Sequence, residues 1–171
     1  MKGRFQIYTG SGKGKTTAAL GLTLRAAGAG LRTYLGQFLK RRRTGEVRML
    51  GERFPEVTVE QYGRSGFVSE KPSPADVEAA RRGLRKLRRA LLGGNYDVVI
   101  ADELTVAIRL GLVREEDAMD LIAQRPAGVE LVLTGRGAGR RIIRQADLVT
   151  DMRKVKHYFD RGTKARRGIE F

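Results

Sequence analysis

A glycine-rich stretch near the start of the chain places the strongest constraint on the fold. Residues 8–17 read YTGSGKGKTT and nearly match the phosphate-binding pattern G-x-x-x-x-G-K-[ST]. The pattern asks for a glycine where the chain has Thr9, and the first glycine comes one place later, at Gly10. A β-branched and aromatic run at 5–8 precedes the loop, and strong helix formers follow it over 15–29. This order of strand, loop and helix predicts an anion site, because the loop amides and the helix dipole both favour phosphate oxygens.

The rest of the chain alternates between strand-like and helix-like stretches. Further strands are predicted at 33–38, 57–62, 97–101, 130–134 and 148–150, and further helices at 45–53, 74–92, 104–110, 114–124 and 140–146. Ser73 and Pro74 are residue types that commonly begin a helix. Strands that alternate with helices predict a mostly parallel sheet with helices on both faces. We therefore expect one α/β domain over residues 1–171.

The composition restricts the surroundings and partners of the protein. No apolar run approaches the ~18–20 residues of a membrane span, and the N-terminus lacks a signal-peptide core, so we expect a cytoplasmic protein without membrane contact. The absence of cysteine excludes disulfides and thiol chemistry. A net charge of +15 suits anionic partners, and the basic residues concentrate at 40–43, 81–89 and 153–167. On the helix at 74–92, they fit a solvated face better than a polyanion-binding face.

The loop residues have the types needed to hold a nucleoside triphosphate. Glycines allow close approach of the backbone, Lys15 is spaced to reach the terminal phosphates, and the Thr16 hydroxyl is spaced to ligate Mg²⁺. Lys13 is a second cation in the loop, which either contacts phosphate or points into solvent. An apolar strand that ends in Asp102 and Glu103 fits the carboxylate motif expected on the metal side. The predicted phosphate-binding residues are Gly10, Ser11, Gly12, Lys13, Gly14, Lys15, Thr16 and Thr17.

Several sequence blocks extend from the loop to the C-terminus. They read YTGSGKGKTTAALGLTLRAAG, GQFLK, DVVIADELTVAIRLGLV, LVLTGR, ADLVTDM and VKHYFDRGTKARRGIEF. In this order they resemble the ATP:cob(I)alamin adenosyltransferases of the P-loop type, the CobA/BtuR-like enzymes. The loop of that family also lacks the earlier glycine, and the C-terminal VKH…GIE block is far more specific than a P-loop alone. The resemblance implies a P-loop NTPase-like (RecA-like) fold.

The resemblance also implies a reaction, in which the 5′-deoxyadenosyl group of ATP is transferred to a reduced corrinoid. Co(I) would attack the 5′ carbon and displace the whole triphosphate, so the protein needs leaving-group stabilisation and no water-activating base. Lys15 and Lys13 are the implied catalytic cations, and Thr16 with Asp102 or Glu103 would hold Mg²⁺, the implied cofactor. The implied partners are ATP, cobalamin or a cobinamide-type corrinoid, an external Co(II) reductant such as a flavoprotein, and a second copy in a homodimer.

Residues outside the loop receive roles from the same resemblance. Arg25 stands where the family places an arginine near the nucleotide, and Arg136 follows a strand end, where ligands bind in open α/β sheets. Phe67 matches the first aromatic of the family segment G-F-x-W-E, which closes over the corrinoid and displaces the axial base of Co(II). The second aromatic is replaced by Ser69. His157, the single histidine, is expected to be structural.

Two other functions fit parts of the sequence. A P-loop ATPase with a basic nucleic-acid-binding surface would explain the charge. Aromatic residues are only 6% of the chain, few for base stacking, so nucleic acid is not the expected partner. A small-molecule kinase would need a lid and an acceptor site, which the sequence does not reveal. The products distinguish the three functions. Adenosyl transfer releases triphosphate, an ATPase releases orthophosphate, and a kinase forms ADP and a phosphorylated acceptor.

Overall fold

The fold is built around a six-stranded sheet, and the computed structural model describes residues 2–41, 44–64 and 72–170. The strands are β1 (Phe5–Thr9), β2 (Thr33–Gln37), β3 (Val57–Gln61), β4 (Val98–Asp102), β5 (Glu130–Thr134) and β6 (Leu148–Asp151). The helices are α1 (Lys15–Gly28), α2 (Gly45–Arg53), α3 (Pro74–Leu92), α4 (Leu104–Arg109), α5 (Glu115–Ala123) and α6 (Arg140–Gln145), with a 3₁₀ helix at Tyr158–Arg161. Each strand and α-helix predicted from the sequence is confirmed, and no end differs by more than one residue.

The sheet order is β3-β2-β4-β5-β1-β6, and each neighbouring pair of strands is parallel. The predicted parallel α/β sheet is therefore confirmed. In such a sheet the carboxyl ends of the strands lie along the same edge, where ligands bind. Thr9, Gln37, Asp102 and Thr134 are the last residues of four adjacent strands, β1, β2, β4 and β5, so this topology brings them to one edge.

Hydrophobic clusters cover both faces of the sheet. Along β4, Val98 and Ile100 point into the cluster that contains residues of α1 and α2, whereas Val99 and Ala101 point into the cluster built with α3, α4 and α5. Burial on both faces explains why β4 is a continuous apolar run rather than an alternating one. Within the described ranges, no helix has both the length and the apolar character to cross a membrane.

The start of α3 shows how local sequence sets an element boundary. The Ser73 hydroxyl accepts a hydrogen bond from the Asp76 amide (3.3 Å), and the Asp76 carboxylate accepts one from the Ser73 amide (3.0 Å). This reciprocal pair is a capping box, and Pro74 takes the first helical position. The helix start predicted at Ser73 is confirmed.

Candidate active site

The phosphate loop joins β1 to α1 at the carboxyl edge of the sheet. Gly10 and Gly14 have φ angles of 101° and 119°, a region that favours glycine. A Cβ at Gly10 would lie 2.5 Å from the carbonyl oxygen of Met152. Thr9 instead ends β1 in ordinary strand conformation, and its carbonyl accepts the Met152 amide at 2.9 Å. The glycine is therefore required at position 10 and not at position 9.

Lys15 lies folded against the loop that it is expected to serve. Its Nζ donates to the carbonyl oxygens of Gly10 (2.8 Å) and Gly12 (2.6 Å), and the residue is 6% exposed. Burial lowers the pKa of its ammonium group, and the positive charge of Arg136 lowers it further. An anion in the loop would relieve both effects, because it supplies the opposite charge.

Asp102 is fully buried and accepts four hydrogen bonds. Its Oδ1 accepts from Thr16 (2.9 Å) and Thr134 (2.6 Å), and its Oδ2 accepts from Gln37 (3.0 Å) and Lys40 (2.8 Å). Four donors fill the lone-pair positions of a carboxylate. The side chain therefore fixes the Thr16 hydroxyl in place and has no free acceptor position.

Lys40 is a site residue that the sequence analysis assigned only to a basic loop. Besides its contact with Asp102, its Nζ lies 3.3 Å from Thr16 Oγ1, so the ammonium bridges the hydroxyl and the carboxylate. The preceding residue, Leu39, has φ 64°. Lys40 follows the carboxyl end of β2, the same kind of position that singled out Arg136 after β5. Extending that rule to β2 would have found it.

Glu103 follows β4 with φ 62°. It and Leu39 are the two residues other than glycine with positive φ in the described part of the chain. This conformation is uncommon for such residues and clusters at functional sites. The Glu103 amide donates to Thr134 Oγ1 (3.0 Å), which holds the turn. Burial, reinforced by the charge of Asp102, raises the pKa of the Glu103 carboxyl group, and no described residue donates a hydrogen bond to that group.

A cleft of about 620 Å³ opens over the loop. It is lined by the loop and the start of α1 and by residues of α2, among them Glu46 and Met49. Lys40, Glu103 and Arg136 line it from the carboxyl ends of β2, β4 and β5. The C-terminal segment also lines the cleft, through His157, Gly168, Ile169 and Glu170. The cleft therefore joins the sequence-predicted phosphate loop to the C-terminal block.

The side chain of Lys13 contacts this C-terminal segment. Its Nζ donates to Tyr158 Oη (2.8 Å), to the carbonyl oxygen of Ile169 (3.2 Å) and to Glu170 Oε1 (2.7 Å). These contacts use the three N–H groups of the ammonium. The Glu170 hydrogen bond is the main cause of a raised pKa for Lys13.

The remaining predicted residues lie in different surroundings. Arg25 is exposed in the last turn of α1, ten residues after Lys15, which is roughly 15 Å along the helix axis, so the structure does not bring its backbone to the loop. Ser11 Oγ accepts the Lys154 amide (3.4 Å), and His157 Nδ1 accepts the Phe159 amide (3.1 Å), a capping contact that agrees with its predicted structural role. Phe67, like Ser69, lies outside the described residues.

The fold and the loop define a P-loop NTPase-like α/β protein. Among solved structures, the chain is similar to the KaiC-like protein PH0186 from Pyrococcus horikoshii OT3, with a TM-score of 0.59. The two are 19% identical, and the match covers 91% of this chain and 74% of that chain. At this identity the likeness shows the fold alone, and it confirms the predicted RecA-like class.

The sequence comparisons identify the family. The model of the family described as ATP:corrinoid adenosyltransferase BtuR/CobO/CobP matches residues 1–171. The corrinoid adenosyltransferase of Escherichia coli (strain K12) is 35% identical, and corrinoid adenosyltransferase CobA of Salmonella typhimurium is 36% identical; each match covers 99% of this chain and 86% of the relative. That of Pseudomonas aeruginosa is 33% identical, covering 99% and 84%. The chain belongs to the corrinoid adenosyltransferase family, and the resemblance seen in the sequence blocks is confirmed.

Proposed function

We propose that the protein transfers the 5′-deoxyadenosyl group of ATP to the Co(I) centre of a reduced corrinoid and releases intact triphosphate. A Co–C bond forms at C5′ while the C5′–O bond breaks, and the electron pair of that bond leaves with the triphosphate. Co(I) carries no proton that a base would have to remove, and the triphosphate departs as an anion that need not be protonated. Family membership supports the adenosylation of a corrinoid, and the arrangement of charges in the cleft supports the rest.

The observation that carries the proposal is the set of cations around an anion-binding loop. Lys15, Lys40 and Arg136 reach the cleft from α1 and from the ends of β2 and β5. Donors fixed in advance at the place where negative charge develops stabilise a transition state without reorganisation. Lys15 would exchange its two carbonyl contacts for phosphate oxygens when ATP binds.

Asp102 and Glu103, at and just after the end of β4, and Thr16, at the start of α1, offer oxygen atoms, which are the ligands that Mg²⁺ prefers. A cation already bridges Thr16 Oγ1 and Asp102 Oδ2 in the form of the Lys40 ammonium. Because Asp102 has its four acceptor positions filled, we assign direct ligation to Thr16 and Glu103 and a positioning role to Asp102. Bound there, Mg²⁺ would neutralise charge on the triphosphate oxygens.

The metal would depend on the nucleotide for further ligands. In residues 2–41, 44–64 and 72–170, no group of three or more His, Asp or Glu side chains is placed to hold a metal ion. Mg²⁺ is commonly bound by one or two carboxylates together with substrate phosphates, which fits this donor set. The reductant that makes Co(I) is proposed to be external, because the chain has no cysteine. A homodimer, and Phe67 at the corrinoid, remain proposals from the resemblance.

The experiment combines ATP, Mg²⁺ and chemically reduced cobalamin and measures adenosylcobalamin and triphosphate. The proposal predicts one triphosphate for each adenosylcobalamin. Lys15→Ala should lower the rate roughly a hundredfold or more, the loss typical of one preorganised electrostatic donor. Lys86→Ala is the control, because Lys86 lies on α3 and pairs with Glu60 at 2.6 Å outside the cleft. A near-normal rate in Lys15→Ala would exclude the loop as the leaving-group site.

A further inference from the structure

The C-terminal VKH…GIE block contributes, together with the shifted glycine, to the specificity of the family resemblance, and the proposed chemistry assigns no task to it. In the structure it packs against the phosphate loop. Gly168, Ile169 and Glu170 line the same cleft as Gly12 and Lys15, although they lie more than 150 residues away in sequence. This contact needs an explanation, because it connects the end of the chain to the place where phosphate is expected to bind.

The contact between the two segments centres on Lys13 and Glu170. Their charged groups are 2.7 Å apart, with side chains 39% and 18% exposed. Glu170 is held from its own segment as well, by the Arg166 amide at 2.7 Å and by the hydroxyl of Tyr158. The guanidinium group of Arg166 is the main cause of a pKa of Glu170 well below its usual range, and Lys13 adds to it. Glu170 is therefore a fixed anion at the edge of the loop.

Lys13 has no donor left for a phosphate in this arrangement. Two of its three hydrogen bonds go to Tyr158 and Glu170 side chains and the third goes to the Ile169 carbonyl. Lys15, by contrast, donates only to carbonyl oxygens of its own loop. Lys13 therefore contacts the C-terminal segment, whereas Lys15 contacts the loop in which phosphate is expected to bind.

Residues 152–154 make further hydrogen bonds to the phosphate loop. Gly12 donates its amide to the Met152 carbonyl at 2.6 Å, and Ser11 accepts the Lys154 amide at 3.4 Å. The loop is thus held both by residues 152–154 and by residues of the segment 157–170. Preorganisation of this kind lowers the entropic cost of binding a ligand.

We propose that Glu170 is a positioning residue for the nucleotide site, which fastens the C-terminal segment to the phosphate loop through Lys13. In this role Lys13 anchors the C-terminal segment that lines the cleft, and Lys15 is the loop lysine whose charge acts on the triphosphate, together with Lys40 and Arg136. The inference deepens the proposed function and rests on it for the identity of the ligand, MgATP. It differs from the sequence-based prediction, which made Lys13 a catalytic cation.

The test measures MgATP binding by calorimetry, with no corrinoid present. Glu170→Ala is expected to raise the dissociation constant about tenfold, and Lys13→Met by a similar factor. The double variant should bind no more weakly than either single variant, because both changes open the same contact. Glu170→Gln keeps an acceptor without the charge and should fall between parent and Glu170→Ala. Asp160→Asn is the matched control, since that acid pairs within its own segment with Lys154 at 2.9 Å.

Tryptic cleavage gives a second readout that needs no nucleotide. The segment offers exposed cleavage sites at Arg161, Lys164, Arg166 and Arg167. Cleavage there should be several-fold faster in Glu170→Ala and Lys13→Met than in the parent and in Asp160→Asn, because a released segment opens more often. This measurement tests the contact between the C-terminal segment and the phosphate loop, independently of adenosyl transfer.

Three results would overturn the inference. Parent-like affinity and cleavage in both single variants would mean that the contact does not organise the site. Tighter MgATP binding in Glu170→Ala would mean that Glu170 competes with phosphate for Lys13. A loss in Lys13→Met of a hundredfold or more, far beyond that in Glu170→Ala, would make Lys13 a phosphate ligand. Each can occur while the parent still transfers adenosyl groups, so failure of the inference is separable from failure of the proposed function.

Discussion

Asp102 is the residue at which four parts of the site meet. Its carboxylate accepts hydrogen bonds from the start of α1, from β2, from the residue three places after β2 and from β5. A buried carboxylate with this many donors is held in one position, so it orients its neighbours. Glu103, the next residue, has a half-buried carboxyl group without such donors. The two adjacent acids therefore have different surroundings, which is why we propose different roles for them.

Glu103→Gln tests the metal-binding half of this division. The variant keeps the shape of the side chain and loses its charge, so the Mg²⁺ concentration for half-maximal transfer should rise about tenfold or more, and added Mg²⁺ should restore part of the rate. Glu116→Gln, a change on the surface of α5, is the control. A complete loss that Mg²⁺ cannot restore would point to a base that activates water, as in an ATPase.

The raised pKa of Glu103 adds a pH dependence. Only the ionised carboxylate binds the metal, and the ionised fraction falls as pH drops through the pKa. Burial raises that pKa above the ordinary 4.5. The apparent Mg²⁺ affinity of the parent should therefore begin to fall, as the solution is acidified, at a higher pH than it would with an exposed glutamate. The Gln variant should lack this decline. An identical pH profile in the two proteins would contradict the assignment.

At the scale of elements, strand ends and helix starts place the functional groups. The loop residues take their positions from the end of β1 and the start of α1, and positive φ at Leu39 and Glu103 turns the chain after β2 and β4. Such conformations cost about 1–3 kcal/mol each and persist where the surrounding structure requires them. The sheet beneath, and the helices packed on its two faces, supply that requirement.

The cap of α3 provides a stability test at this scale. Ser73→Ala removes the capping hydroxyl and should lower the free energy of unfolding by about 1 kcal/mol in urea denaturation. Thr44→Ala is the matched control, because Thr44 is the N-cap of α2 but makes no side-chain capping bond, and its buried Oγ1 has no partner among the described residues. Equal losses in the two variants would show that the hydrogen bonds at Ser73 do not stabilise α3.

At the scale of the whole molecule, local pattern and long-range contact were predictable to different degrees. Apolar periodicity, turn residues and caps are local signals, and they predicted every strand and α-helix to within one residue. The phosphate loop and the acids after β4 were found in the same way. The Lys40–Asp102 and Lys13–Glu170 contacts join residues 62 and 157 positions apart, and nothing local indicates them. They follow only from the strand order and the path of the C-terminal segment.

Some of the 34 basic residues pair with acidic residues of the fold, and the net charge of +15 is what remains after all 19 acids are counted. On α3, Arg85 pairs with Glu78 at 2.8 Å and Lys86 with Glu60 at 2.6 Å. Such exposed pairs contribute little to stability, but they fit a solvated helix face, as predicted from the sequence. The cations that matter for the proposed chemistry are instead the ones that line the cleft over the phosphate loop.

The most direct measurement of the central claim is the fate of the oxygen that joins C5′ of ATP to its α-phosphate. ATP labelled with ¹⁸O at this bridging position is turned over with Mg²⁺ and chemically reduced cobalamin, and the products are analysed by mass spectrometry. Attack of Co(I) on C5′ breaks the carbon–oxygen bond, so we predict that the label appears in triphosphate and that adenosylcobalamin contains none. Label retained on the adenosine side, with ADP and orthophosphate as products, would contradict adenosyl transfer and favour an ATPase.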